Sequence, residues 1–340
     1  MINRWLNLPH PFSFGEPAFS NLLEEFADAV LAGKVVNKLS IVIDGLNAAH
    51  LPIKLDDDTV IRNVTEEELW GFGEEESLAS RQWLTPFPAH FPDSDWNILD
   101  IEIQFNREKE FSGNIDLQFD KEREISNAEY AIFDAVLASL RLASSGWLKF
   151  IDLGSQNNFG MNSVGRTVSM SRVPKEVGRY EGNFYLDQDM IYNLKNYWSR
   201  VLAVIKSDSH FLRLPAMRLI EGGSRNQPRD AIIDYSIGLE SLLTRGDREL
   251  SYKFSLRGAM ILSWDGGRRK DFYDNLESIY KLRSAIVHGN SQINQKKLAL
   301  NDAQHIAEEY LRKIWWWYFT KNIPRLDNGI SIINKAILDP

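Results

Sequence analysis

The chain has 340 residues, 44% hydrophobic and 25% charged, with a formal net charge of −8 and no cysteine. That length suggests about two domains, and the composition is that of a folded protein rather than a disordered or fibrous one. With no cysteine there is no disulfide framework, thiolate zinc site, cysteine-ligated iron–sulfur cluster or cysteine nucleophile, and the acidic average speaks against a nucleic-acid coat or a membrane-surface binder.

No run of about 18 apolar residues occurs. The segment from Met1 to Glu16 has one basic residue, Pro9 and Pro11, and no apolar stretch of the secretory kind. The expectation is a soluble, cytoplasmic protein with no membrane partner. The densest apolar stretch, Ile314 to Phe319, follows Lys313 and precedes Lys321, so it reads as core or interface.

Asn21 to Leu31 places Leu22, Leu23, Phe26, Val30 and Leu31 at helical spacing. Leu39 to Leu46 and Leu51 to Val64 are rich in β-branched residues and punctuated by Asp44-Gly45 and Asp56-Asp57-Asp58, which predicts strands joined by turns. Thr65 with Glu68 forms a capping-box pattern opening a brief helix. Pro86, Pro88 and Pro92 mark a loop. Trp96 to Phe105 ends in alternating apolar and polar side chains, the pattern of a half-buried strand.

Ser126 and Glu129 form a second capping box, before an apolar stripe of Ile132, Phe133, Val136, Leu137 and Leu140 that ends near Ser144-Ser145-Gly146. Gly154 to Gly165 reads as a loop, either a plain surface turn or one that contacts a ligand, and Thr167 to Val173 as a further strand.

From Leu186 onward helices dominate. They are predicted over Asp187–Ile205, Arg229–Leu243, Leu250–Ser263, Asp271–His288 and Asn301–Asn322, with breaks at Gly222-Gly223, Gly246, Gly266-Gly267 and Gly289-Asn290. The predicted class is α+β: a mixed domain over 1–183, a helical domain over 184–322 and a tail over 323–340.

The charge divides along the same line. Residues 184–322 hold 21 Lys and Arg against 16 Asp and Glu, net +5, whereas residues 1–183 hold 16 against 29, net −13. Glu66-Glu67-Glu68 and Glu74-Glu75-Glu76 read as solvated faces, because carboxylates adjacent in sequence do not converge on one ion unaided. His10, His50, His90 and His210 are scattered without ligand spacing, and His305 reads as a surface or core residue. No metal or other cofactor is expected. There is no Gly-rich phosphate loop and no nucleophile elbow.

The stretch from Asp271 to Gly289 carries the chemistry. Leu276, Ile279, Leu282 and Ile286 line one helix face, which Gly289 stops. Arg283 and His288 are five residues apart, about 500° around a helix, so their side chains diverge by about 140°. They share a pocket only if the last turn loosens or a second chain contributes. Ser284 and His288, four apart, share a face.

Arg283-Ser284-Ala285-Ile286-Val287-His288 resembles the R-x4-6-H signature of the HEPN superfamily, and Ile279 to Gly289 is similar to its Apea-like branch. The upstream helix Ala231 to Leu243, ending Leu239-Glu240-Ser241-Leu242-Leu243, matches that branch's Leu-Glu-x-Leu-Leu pattern. The resemblance covers roughly 186–322. It implies a metal-independent endoribonuclease that acts as a homodimer on RNA, in host defence or toxin-like growth control.

In that scheme Arg283, His288 and Ser284 form the catalytic set. An imidazole, with an ordinary pKa near 6.5, can accept or donate the proton, and a guanidinium holds phosphate oxygens in two-pronged fashion. Many active members carry Asn, Asp or His after the Arg, where this chain has Ser284. Glu240, in an apolar helix, needs an Arg or a backbone donor as partner. Arg245, Arg248, Arg268, Arg269 and Lys270 fall in predicted loops where RNA could reach them. The rival reading is a non-catalytic module of the same kind that binds RNA or nucleotide. Trp315 to Phe319 circles its helix, so it is buried either within one chain or against a second copy.

Overall fold

The computed structural model describes residues 34–63, 96–106, 115–146, 148–157, 184–225, 227–244, 249–264, 266–289 and 299–338. They form seven strands and eight helices, mostly helical in content, and the class is α+β. The predicted helix at Asn21, the capping box at Thr65, the proline loop and the strand at Thr167 lie outside the described residues.

Strands β1 (Lys34–Asp44), β3 (Ile53–Lys54), β4 (Thr59–Asn63), β5 (Trp96–Asn106) and β6 (Lys149–Asn157) make an antiparallel sheet in the order β3-β4-β5-β1-β6. Ile41 and Ile43, two apart on β1, are both buried, as the period-two alternation of a strand requires. Gly45, at φ +85°, turns the chain out of β1 into β2 (Leu46–Ala48), which pairs in parallel with β7 (Phe184–Leu186). Asn97 is buried and its Nδ2 donates to Leu46 O at 2.8 Å.

Strand β6 overturns part of a loop expectation. Gly154 to Asn157 belong to the strand, because Ser155 pairs with Leu39 and Asn157 with Asn37 across a register shift between Leu39 and Ile41. Backbone pairing needs no apolar side chain, so polar composition hid the strand. Residues 158–165 lie outside the described set.

Helix α1 runs Ile115–Ala143. It therefore starts eleven residues before Ser126, which sits mid-helix. Residues 115–125 hold Glu, Lys, Arg and Leu without Gly or Pro, so nothing there interrupts the helix and the capping pattern lies idle. Helix α2 (Gln188–Lys206) is capped by Asp187, whose Oδ1 accepts from the Met190 N–H at 2.7 Å. The chain divides into two compact units, with divisions inside α1 between Ile132 and Phe133 and inside α2 between Lys195 and Asn196.

The second unit includes α3 (Arg213–Gly223), α4 (Pro228–Leu243), α5 (Leu250–Leu262), α6 (Arg269–Val287), α7 (Leu300–Thr320) and α8 (Leu326–Leu338). Helix α3 occupies a stretch the sequence marks only by its Gly222-Gly223 break. Those glycines end the helix itself and let neighbours approach: a Cβ on Gly222 would collide with the Tyr235 ring, and one on Gly223 would sit 3.1 Å from Arg141 Nε. The expected tail over 323–340 contains α8. Ile333 is fully buried, and a Cβ on Gly329 would fall against the Tyr318 ring.

The aromatic run on α7 packs within its own unit, with Trp315, Trp317, Tyr318 and Phe319 buried and Trp316 half-buried. Trp315 Nε1 donates to Leu212 O and Trp316 Nε1 to Leu142 O, both at 2.9 Å, while the Tyr318 hydroxyl donates to Leu242 O at 2.7 Å. A run that circles its helix thus reaches three neighbouring segments of one chain. No helix among the described residues is long and apolar enough to cross a membrane.

Candidate functional site

Helix α6 places the Arg-His segment. Leu276, Ile279, Leu282 and Ala285 recur every three residues and are buried, and Leu282 and Ala285 form a cluster with Ile232 of α4 and Ala303 of α7. The helix ends at His288, with backbone φ −87° and ψ 7°. Its N–H still reaches Ser284 O at 3.1 Å, an ordinary helical bond, and Gly289 at φ +66° tightens the exit by donating to Ile286 O at 3.1 Å. A Cβ on Gly289 would meet nothing within 4 Å, so the glycine is required by backbone conformation alone.

The last turn of α6 is regular, and the divergence of Arg283 and His288 expected from their spacing therefore stands. His288 is exposed, and its imidazole has no hydrogen-bond partner among the described residues. Ser284 is half-buried, one turn back. Arg283 turns inward: its Nη2 lies 3.4 Å from Glu240 Oε2, with the two side chains 28% and 24% exposed. The Nε of Arg283 is buried without a hydrogen-bond partner among the described residues. Glu240 thus has the arginine partner its apolar helix demanded. Burial holds its carboxyl above the usual carboxylate range, and the Arg283 charge opposes that shift.

The basic residues divide differently from expectation. Arg268 is the N-cap of α6, and Arg269 and Lys270 open the helix itself rather than a loop. All three are exposed. Arg269 is fourteen residues from Arg283, about 21 Å along the axis at 1.5 Å per residue, so the cluster lies at the opposite end of α6 from His288. Arg245 and Arg248 lie outside the described residues.

A charged cluster between α3 and α4 escaped the sequence reading. Asp234 is buried, accepting from Arg218 Nη1 at 2.8 Å and Arg225 Nε at 2.7 Å, and its carboxylate raises the Arg225 pKa through that hydrogen bond. The signal was an aspartate between Ile233 and Tyr235 in an otherwise apolar helix, which requires a cationic partner. Both arginines are already committed to it, so the cluster ties two helices together.

Among the described residues no group of three or more His, Asp or Glu could hold a metal ion. Comparison with protein-family models, curated proteins and solved structures found no match.

Proposed function

We propose that this protein is a metal-independent endoribonuclease of HEPN type, working in the cytoplasm as a homodimer in host defence or growth control. The observation that carries the reading is the end of α6, where a half-buried arginine held by Glu240 and an exposed histidine stand five residues apart on different faces of one regular helix. Since the two do not converge within a chain, a two-fold pair that sets Arg283 of one copy beside His288 of the other supplies a complete site.

The step uses the RNA's own nucleophile. His288 takes the proton of a ribose 2′-hydroxyl, the 2′-oxygen bonds to phosphorus, and the bond from phosphorus to the 5′-oxygen breaks. Arg283 holds the non-bridging oxygens as their charge rises, the departing 5′-oxygen takes its proton from water, and the protonated His288 gives its own back to the hydroxide so formed. The products are a 2′,3′-cyclic phosphate and a 5′-hydroxyl. Ser284, beside His288, can hydrogen-bond the same phosphate but is a weak proton carrier.

A second reading, a non-catalytic module that binds RNA or nucleotide, is favoured by the commitment of Arg283 to Glu240. Purified parent and His288→Ala proteins, incubated with an RNA pool and followed by end-group analysis, separate them. The nuclease reading expects cyclic phosphate ends and a loss of about 10²–10⁴ in rate. Equal cleavage by His288→Ala, or no cleavage by the parent, overturns it.

A further inference from the structure

We propose that the turn between α5 and α6 is a docking site for single-stranded nucleic acid, where Trp264 stacks on a base and the surrounding cations hold the backbone. The proposal rests on the nuclease reading for the identity of its ligand as RNA, and it adds a site at the other end of α6 from His288.

Trp264 follows α5, its N–H donating to Ile261 O at 3.1 Å. The residue is 41% exposed, whereas Trp198, Trp315 and Trp317 are buried. It is also braced. Trp317 meets it edge-on with ring centroids 5.6 Å apart, and Lys321 Nζ sits over one face of the ring, 5.0 Å from its centroid, so that a base would have to stack on the other. A large ring left in water but held in place is a preformed platform.

The cations gather at the same turn. Arg269 Nε donates to Ser263 Oγ at 3.2 Å, which ties the start of α6 to the residue before Trp264. Arg268 and Lys270 flank it, both exposed, and Lys321 adds a fourth charge. The acids of the segment are Asp265 and Asp271, and the second stands 3.6 Å from Arg268. Gly266 and Gly267, at φ +117° and +91°, make the turn, and a Cβ on Gly266 would meet nothing within 4 Å.

An aromatic face set among cations fits a polyanion that presents flat π-faces of its own. Single strands do so. A duplex keeps its bases stacked inside, and an acidic peptide has charge without the bases.

The test is fluorescence anisotropy with a labelled 2′-O-methyl oligoadenylate, which lacks the hydroxyl that cleavage needs. Trp264→Ala is expected to weaken binding by about 5- to 150-fold, the range for loss of one stacked base. Trp264→Leu, which keeps an apolar side chain on Trp317 but no ring to stack, gives the same loss if the alanine variant misfolds. Replacing Arg268, Arg269 and Lys270 together flattens the salt dependence, by about 0.7 in logarithmic slope for each phosphate no longer neutralised. Unchanged binding by folded Trp264→Ala and Trp264→Leu overturns the proposal. So does equal affinity for a duplex, or Trp264-dependent binding to phosphatidylserine vesicles in place of the strand. A protein that binds this strand through Trp264 yet cuts no RNA loses the nuclease reading and keeps this one.

Discussion

Arg283 on α6 is paired to Glu240 on α4 by an Nη2 to Oε2 approach of 3.4 Å, between residues 43 positions apart in sequence. The guanidinium is pinned at one corner only, since its Nε has no hydrogen-bond partner among the described residues. In the proposed nuclease, Glu240 would set the plane in which the Nη groups face a phosphate. Arg283→Ala is expected to lower RNA cleavage by about 10²–10³, the cost of losing a main oxyanion donor. Glu240→Gln, which still accepts a hydrogen bond, should lose less, and the double variant should lose no more than Arg283→Ala alone. Single-turnover rates of the three proteins decide this, because two residues that act as a unit are not additive. Additive losses would mean that Glu240 does not act through Arg283.

The same carboxyl sets a pH dependence of stability. Burial raises the Glu240 pKa above its unfolded value, so the folded state holds the proton more tightly than the unfolded chain does. Its contribution is therefore fully present below the unfolded carboxylate pKa and is lost as pH rises through the folded one. Glu240→Gln has no proton to lose there. Thermal midpoints of parent and Glu240→Gln, measured from about pH 3 to neutrality, should show the parent losing ground to the variant as pH rises. A constant difference across that range would mean that the carboxyl does not titrate as its burial implies.

Gly222 and Gly289 should respond to alanine for opposite reasons. At Gly222 the added carbon meets the ring of Tyr235, which is fully buried and cannot swing away, so overpacking costs about 1–3 kcal/mol. At Gly289 there is room, and the cost is the left-handed backbone at φ +66°, about 1–2 kcal/mol. Urea midpoints measure both. Only Gly289→Ala should also disturb cleavage, because it alone alters the turn that presents His288.

Helices α2 and α4 to α7 were legible within a residue or two, because apolar side chains three and four apart must face a core whatever lies opposite. Helix α3 was not. Gly222-Gly223 reads as a break, yet those glycines serve Tyr235 and Arg141 on other elements, and Pro215 sits in the first turn, where its missing N–H costs nothing. The start of α1 was hidden by a capping pattern with no helix end to cap. At the site, the order Glu240, Arg283, His288 and the stop at Gly289 could be read from sequence. The inward turn of Arg283 could not, since it depends on how α4 and α6 lie against each other. Nor could the separation of Arg268, Arg269 and Lys270 from His288, which follows only once those residues are seen to continue into a single run of helix.

The divergence of Arg283 and His288 has a consequence that a mixing experiment can read. If each site takes Arg283 from one copy and His288 from its partner, a dimer of Arg283→Ala with His288→Ala contains one site with both groups intact and one with neither. Either variant alone contains only half-sites. Equal mixing with free exchange puts about half the chains into mixed dimers, so activity should return to about one quarter of the parent's when symmetry supplies two sites per dimer. The variants are purified separately, mixed, allowed to exchange and assayed on the same RNA. A mixture no better than its parts would mean that Arg283 and His288 serve within one chain, or that the site needs all four groups at once. Sedimentation of the parent separates those two outcomes, since a monomer permits only the first.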